Sequence, residues 1–184
     1  MRYPPEHKQA MRTRLVEAGA ALAKQDGFGN TGMDALTAAA GVTTGAFYSQ
    51  FRSKPEFLKA IVEHELAKTL AAFEGKSPQE LMLALSWYLS PRHAKHPESG
   101  CPVPALGAEI GRADADTKAQ FEAMMLKIHA AVRTAVDDDA AAWAILCQAV
   151  GGVLIARAMA TPERRDEVLK SVLDNALGLL HPTP

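Results

Sequence analysis

Two stretches of this 184-residue sequence hold side chains whose types and spacing could do chemistry. The first is Thr43-Thr44-Gly45-Ala46-Phe47-Tyr48-Ser49-Gln50-Phe51. On a helix, Phe47 and Phe51 share one face and can anchor it to a core, which leaves hydroxyls and an amide on the outer face. Thr44, Ser49 and Gln50 can then hydrogen-bond base edges or phosphates, while Ala46 can touch a thymine methyl. Tyr48 and Lys54 suit the nucleic-acid backbone, as do Thr31 and the helix N-termini. The second stretch is His93-Ala-Lys-His96-Pro-Glu-Ser-Gly-Cys101-Pro. Its two histidines and one cysteine raise the question of a metal, but the prolines and uneven spacing do not match a zinc-ligand pattern. Cys101 stands just before an expected helix N-terminus, whose dipole, with Lys95 or His96 nearby, would lower a thiol pKa. The competing reading is a small buried hydrophobe that seals the loop. For an enzyme the available groups are His129, Glu109 and Cys101, and no triad spacing, phosphate loop or metal motif joins them. The sequence therefore predicts neither catalysis nor a cofactor.

The elements that must position these residues are all helical. Ala, Leu, Glu, Lys and Gln dominate, and no alternating run has the length of a strand. A first helix is expected from Glu6 to Gln25, with Leu15, Ala18 and Leu22 inward and Gly27 as a left-handed cap. Thr31 opens a short second helix, with Asp34 able to return a capping bond, and Gly41 stops it. A third short helix runs from Thr43 or Thr44 to Gln50 or Phe51. Ser53-Lys54-Pro55-Glu56 reads as a capping box for a long fourth helix ending near Glu74. Ser77-Pro78-Gln79-Glu80 is another, opening a helix to Leu89. Prolines 91, 97, 102 and 104 make 90–104 the longest irregular stretch. Three helices follow, over 116–136, 138–159 and 162–180.

Two short helices joined by a glycine turn outline a helix-turn-helix. Ala38, Ala39 and Ala40 permit close packing, Gly41 relieves the turn, and Val42 plugs the space between the helices. Here Ala39-Ala40-Gly41-Val42-Thr43-x-Gly45-x-Phe47-Tyr48-x-x-Phe51-x-Ser53-Lys54 resembles the signature of TetR-type bacterial regulators. The resemblance runs from about Arg12 to Leu66. It departs at Pro55, where Glu is usual, and at Gln50, where His or Tyr is frequent. It implies an all-α chain: a three-helix helix-turn-helix DNA-binding domain over 1–55, then a helical ligand-binding and dimerisation domain over 56–184, connected by the fourth helix. It also implies a repressor that a small-molecule effector releases from double-stranded operator DNA, acting as a homodimer. At the DNA it places Thr44, Gly45, Ala46, Tyr48, Ser49 and Gln50, and the residue chemistry adds Thr43, Thr31 and Lys54 to the expected DNA contacts. Some relatives sense electrophiles or oxidants through a cysteine, a role that would fall to Cys101.

Charge agrees with that division. Residues 1–55 carry seven Lys/Arg (including Arg2) against four Asp/Glu, whereas the remainder carries thirteen against seventeen. Only the first third sits comfortably against phosphate. In the remainder, Met82, Trp87, Tyr88, Cys101, Phe121, Met124, Met125, Ile128, His129, Trp143 and Cys147 are the candidates for an adaptable apolar pocket. The same stripe is also what an ordinary core requires. The run Ala140–Ala156 has Gln148 as its one polar side chain, falls short of the roughly 18–20 residues of a span and contains Gly151-Gly152. A second copy of the chain, rather than a membrane, is expected to cover it. Ala144, Gln148, Gly151 and Gly152, with Leu169, Leu173 and Leu177 of the last helix, are the expected contacts. Two distant cysteines and the lack of a secretory signal point to a reducing cytoplasm.

Overall fold

The computed structural model describes residues 5–180, so Arg2 and the outermost residues of both expected domains lie outside it. The described residues form ten α-helices and no strand. Helices α1 (Pro5–Asp26), α2 (Met33–Ala39) and α3 (Thr44–Tyr48) come first, and α4 (Lys54–Phe73) follows. Then come α5 (Pro78–Tyr88), α6 (Pro91–Lys95), a 3-10 turn (Pro97–Ser99) and α7 (Val103–Arg112). Helices α8 (Ala115–Val136), α9 (Asp139–Ala158) and α10 (Pro162–Leu180) complete the fold.

Local chemistry sets most helix ends. Gly27, Gly41 and Gly75 all have positive φ, the conformation that ends a helix at little steric cost. At Gly41 the Val42 N–H reaches Thr37 O at 2.9 Å and the Gly41 N–H reaches Ala38 O at 3.0 Å, the paired bonds of a Schellman turn. Ser77 and Glu80 form the reciprocal capping box. Ser53 caps α4 through the Glu56 N–H, but the Glu56 carboxylate turns to the Arg52 N–H at 2.8 Å, so that expected box is only half made. Thr31 does not open α2. Its hydroxyl donates to Gly27 O at 2.6 Å, and Gly32 occupies the N-cap with no side-chain bond.

The stretch expected to be irregular is more ordered than its prolines imply. Pro91 and Pro97 sit in first turns, where a missing N–H has no consequence, and so does Pro104 in α7. Helix α7 thus begins inside the stretch read as a loop.

Hydrophobic side chains form one continuous core from Leu15 to Leu180. At its N-terminal end Phe57 packs on Phe47, Phe51 and Phe28, with ring centroids 5.1, 4.8 and 6.4 Å away. Gly19 is required in α1 because a Cβ there would fall into the Phe57 ring. Helix α4 then runs along α8, and α9 packs against α10, α8, α7 and α6. Helix α9 is long and apolar enough to cross a membrane, and 39% of its most apolar window is buried within the protein. Part of the rest forms an exposed face with Leu154 and Ile155.

Candidate nucleic-acid interface and ligand cavity

The outer face of α3 is small and free. Thr43 caps the helix, its hydroxyl accepting from the Ala46 N–H at 3.2 Å, and Phe47 is wholly buried beneath it. Thr44, Gly45, Tyr48 and Ser49 are exposed, Tyr48 by 55%, while Ala46 and Gln50 are half-buried. The Ser49 hydroxyl donates to Ala46 O, and the Gln50 amide lies beside it. A Cβ on Gly45 would meet nothing closer than the Thr43 hydroxyl at 3.9 Å, and its φ is not in the left-handed region, so nothing inside the chain demands glycine there. The surface stays low enough for a second molecule to approach the backbone.

Several cations of this region are occupied within it. Arg12 donates to Gln50 O at 2.9 Å and lies over the Phe51 ring, and Arg14 donates to Ala40 O at 3.0 Å. Both therefore neutralise carbonyls at the ends of α3 and α2. Lys54 was expected on the DNA backbone, yet its ammonium reaches Thr31 O at 2.7 Å and sits over Phe28. Thr31, 4% exposed and bonded to Gly27, is a turn residue rather than a surface group.

The second feature is a cavity of about 440 Å³ between α4, α5 and the Glu98–Cys101 segment. Trp87, Tyr88 and Cys101, all expected there, line it, joined by Phe73, Ala72 and Ala84. Behind Tyr88 and Cys101 lies a small apolar crevice of about 20 Å³, where Met125 and Ile128 are found. The other expected pocket residues line neither space. Met124 is buried core and Phe121 packs against that core, because the α8 stripe faces α4. His129 stacks on Trp143 at 4.2 Å, apart from the cavity, and Cys147 is exposed on α9. Met82, half-buried on α5, is not in the cavity wall.

Sequence patterning missed the cavity's charged wall. Lys24, from the last turn of α1, pairs with Glu65 of α4 at 2.5 Å, with side chains only 3% and 4% exposed. The same ammonium donates to Gly100 O at 2.9 Å. Burial alone would raise the Glu65 pKa, but hydrogen bonds from Lys24 and Lys68 outweigh it and hold the carboxyl below its usual value. His93 fixes the neighbouring loop. Its Nε2 accepts from the Cys101 N–H at 3.0 Å, so Nδ1 carries the proton and donates to Tyr88 O at 2.6 Å. A Cβ on Gly100 would overlap the His93 ring, which makes glycine necessary there.

Cys101 behaves as the small buried hydrophobe, not as an activated thiol. Burial pushes its pKa up, with Tyr88 and backbone contacts opposing only in part, so the expected dipole effect is overridden. His96 turns outward to Glu98 at 3.1 Å. Glu109 is a tether, its carboxylate accepting from the Phe28 and Gly29 N–H groups at 2.9 and 2.6 Å. Cys101, Glu109 and His129 thus stand in three separate settings, and no metal-ligating cluster occurs among the described residues.

Two expected dimer contacts are already buried within the chain. Leu169 is core, and a Cβ on Gly152 would crowd Val172 and Leu89 at 3.1–3.2 Å, so Gly152 serves the packing of α9 on α10 and α5. Ala144, Gln148, Gly151, Leu173 and Leu177 remain half-exposed.

Residues 15–61 match the family model described as bacterial regulatory proteins, tetR family. No curated protein matches the chain by sequence. In structure it is similar to E. coli NemR in its reduced form, with 22% identity, TM-score 0.76, and coverage of 91% of this chain and 95% of that one. It is similar to a TetR regulator from Chloroflexus aurantiacus at 22% identity and TM-score 0.74, covering 92% and 95%. Bacillus subtilis FadR, solved with stearoyl-CoA, matches at 13% identity and TM-score 0.69, covering 94% and 99%. The match to the tetR-family model over residues 15–61 and a fold shared along nearly the whole length with solved TetR-type regulators support a TetR-type regulator.

Proposed function

We propose that this regulator is a cytoplasmic homodimeric repressor that leaves its operator when a small molecule enters the cavity beside Lys24. The observation that carries the reading is the position of Lys24. It belongs to α1, which supports the reading helices, yet it forms part of the cavity wall and holds Gly100. A ligand there acts directly on a group shared by the two halves. Glu109 supplies a second link, from α7 to the loop before α2. We place the functional division at residues 55/56, with α4 carrying motion between the halves.

In this reading Thr44, Gly45, Ala46, Tyr48, Ser49 and Gln50 meet the major groove, with Thr43 capping the helix that presents them. The half-exposed residues of α9 and α10, with Leu154 and Ile155, form the dimer face. Two reading helices must then lie roughly 34–36 Å apart to enter successive major grooves. A ligand that favours a different spacing by about 1–3 kcal/mol weakens DNA binding roughly 5- to 150-fold. The test is a salt-dependent binding assay on the DNA upstream of the chain's own coding region, with wild type and Gln50→Ala and Thr44→Ala variants. The variants should change preference among sites by about 1–3 kcal/mol at single positions. Unchanged preference in folded variants removes α3 as the reading helix.

A further inference from the structure

The cavity has a chemical character that narrows what can occupy it. One side is apolar, made by Ala72, Phe73, Ala84 and the Trp87 ring. Lys24, Lys68 and Lys76 line it too, against the carboxylates of Glu65 and Glu98. Glu65 serves two of these cations at once, Lys24 at 2.5 Å and Lys68 at 2.8 Å. Glu98 is engaged with His96, and Lys76 makes no ion pair among the described residues. The wall thus holds three ammonium groups against two carboxylates, with Lys68 on α4 sharing Glu65 and Lys76, beyond the helix end at Gly75, unpaired among the described residues.

Tyr88 is among the lining residues, and its hydroxyl, close to the Cys101 thiol, is buried without a hydrogen-bond partner, on a residue only 5% exposed. A buried hydroxyl without a partner is costly, and a ligand acceptor atom would satisfy it. Burial raises the phenol pKa well above its ordinary value, with Cys101 adding to the effect, so the group stays protonated and offers a proton.

We propose that the effector is a compact aromatic carboxylate with a second oxygen at its far end. Its carboxylate meets Lys68 and Lys76, its ring lies along Phe73 and Trp87, and its far oxygen accepts from the Tyr88 hydroxyl. This rests on the reading of the cavity as the effector site. A cationic ligand would face three ammonium groups, and a neutral one would leave Lys68 and Lys76 to solvent.

Three probes separate the parts: 6-hydroxy-2-naphthoate, its neutral amide 6-hydroxy-2-naphthamide, and 2-naphthoate. Calorimetric titration of the full chain should show the hydroxy acid binding about tenfold more tightly than its amide, since hydrogen bonds to charged groups are the stronger class. The Lys68→Gln/Lys76→Gln variant should erase that difference. Tyr88→Phe should erase the advantage of the hydroxy acid over 2-naphthoate while leaving 2-naphthoate binding unchanged. Equal affinity of acid and amide overturns the anion class but leaves the cavity as an effector site. Failure of all three probes to bind a folded protein overturns the proposal, and DNA binding measured on the same sample shows whether the regulator reading survives it.

Discussion

The end of the molecule that presents α3 and the part that encloses the cavity solve opposite problems. Under α3, Phe28, Phe47, Phe51 and Phe57 fill the space, and Arg12, Arg14 and Lys54 each reach a backbone carbonyl. Among the described residues, the buried side-chain polar atoms without a partner belong to His64, Tyr88, Thr117, Gln148 and Arg157, all beyond the helix-turn-helix. The first region is packed and satisfied before any partner arrives. The second retains a void, a buried ion pair and unmet hydrogen-bonding capacity. A reading head needs one rigid shape, whereas a sensor needs a state that another molecule can improve.

Phe57→Ala strikes the packed region hardest, removing the ring shared by α1, α3 and α4. It should cost about 4 kcal/mol, the range for a buried Phe truncation, and abolish DNA binding. Urea unfolding and an anisotropy titration measure the two effects. A loss below about 1 kcal/mol would mean that the cluster is not a fixed support.

Glu65→Gln tests the other region and should cost about 3 kcal/mol by leaving Lys24 charged and buried without its carboxylate. Adding Lys24→Met to Glu65→Leu should recover most of that stability, because paired apolar groups replace paired charges. The double variant should then bind DNA normally but lose its response to ligand. A retained response would remove Lys24 from the switching path.

Lys54→Ala has a smaller expected effect, about 1 kcal/mol, from the lost bond to Thr31 O. Its DNA affinity should fall with little change in salt slope, since the ammonium holds the turn and not a phosphate. A slope reduced by about one unit would restore the phosphate role suggested by sequence.

The smallest effect concerns pH. Burial lowers the His93 pKa, the Tyr88 carbonyl opposes this, and the charges of Arg157 and Lys24 add to it. The folded chain thus binds this proton less readily than the unfolded chain. The His93 contribution is complete above the unfolded pKa, declines as pH falls below it, and is lost as pH passes the folded value. Melting temperature should fall more steeply between pH 7.5 and 5.5 in wild type than in His93→Gln. Parallel slopes would mean that His93 does not titrate in this window.

Much of this contrast was legible in local sequence, and its decisive part was not. Gly27, Gly41 and Gly75 announce helix ends because left-handed backbone has few other tenants. The Phe47–Phe51 spacing places α3 on its support without knowledge of distant contacts. Lys24, by contrast, meets Glu65 across 41 residues and Gly100 across 76, and Glu109 meets Phe28 across 81. No helical period encodes such meetings. Helix α7 was hidden by Pro102 and Pro104, which read as breakers yet sit at a helix start. The α8 stripe looked like a pocket lining because core and cavity draw on the same residue types.

In the proposed switch the cavity and the reading helices share one equilibrium through Lys24. The direct measurement is calorimetric titration of 6-hydroxy-2-naphthoate into the full chain, with and without saturating operator DNA. Linkage requires DNA to weaken ligand binding by the same factor by which ligand weakens DNA binding, roughly 5- to 150-fold. That reciprocal loss is expected in wild type and should disappear in the Lys24→Met/Glu65→Leu variant. Measurable ligand binding with identical affinity in both titrations would contradict the shared equilibrium.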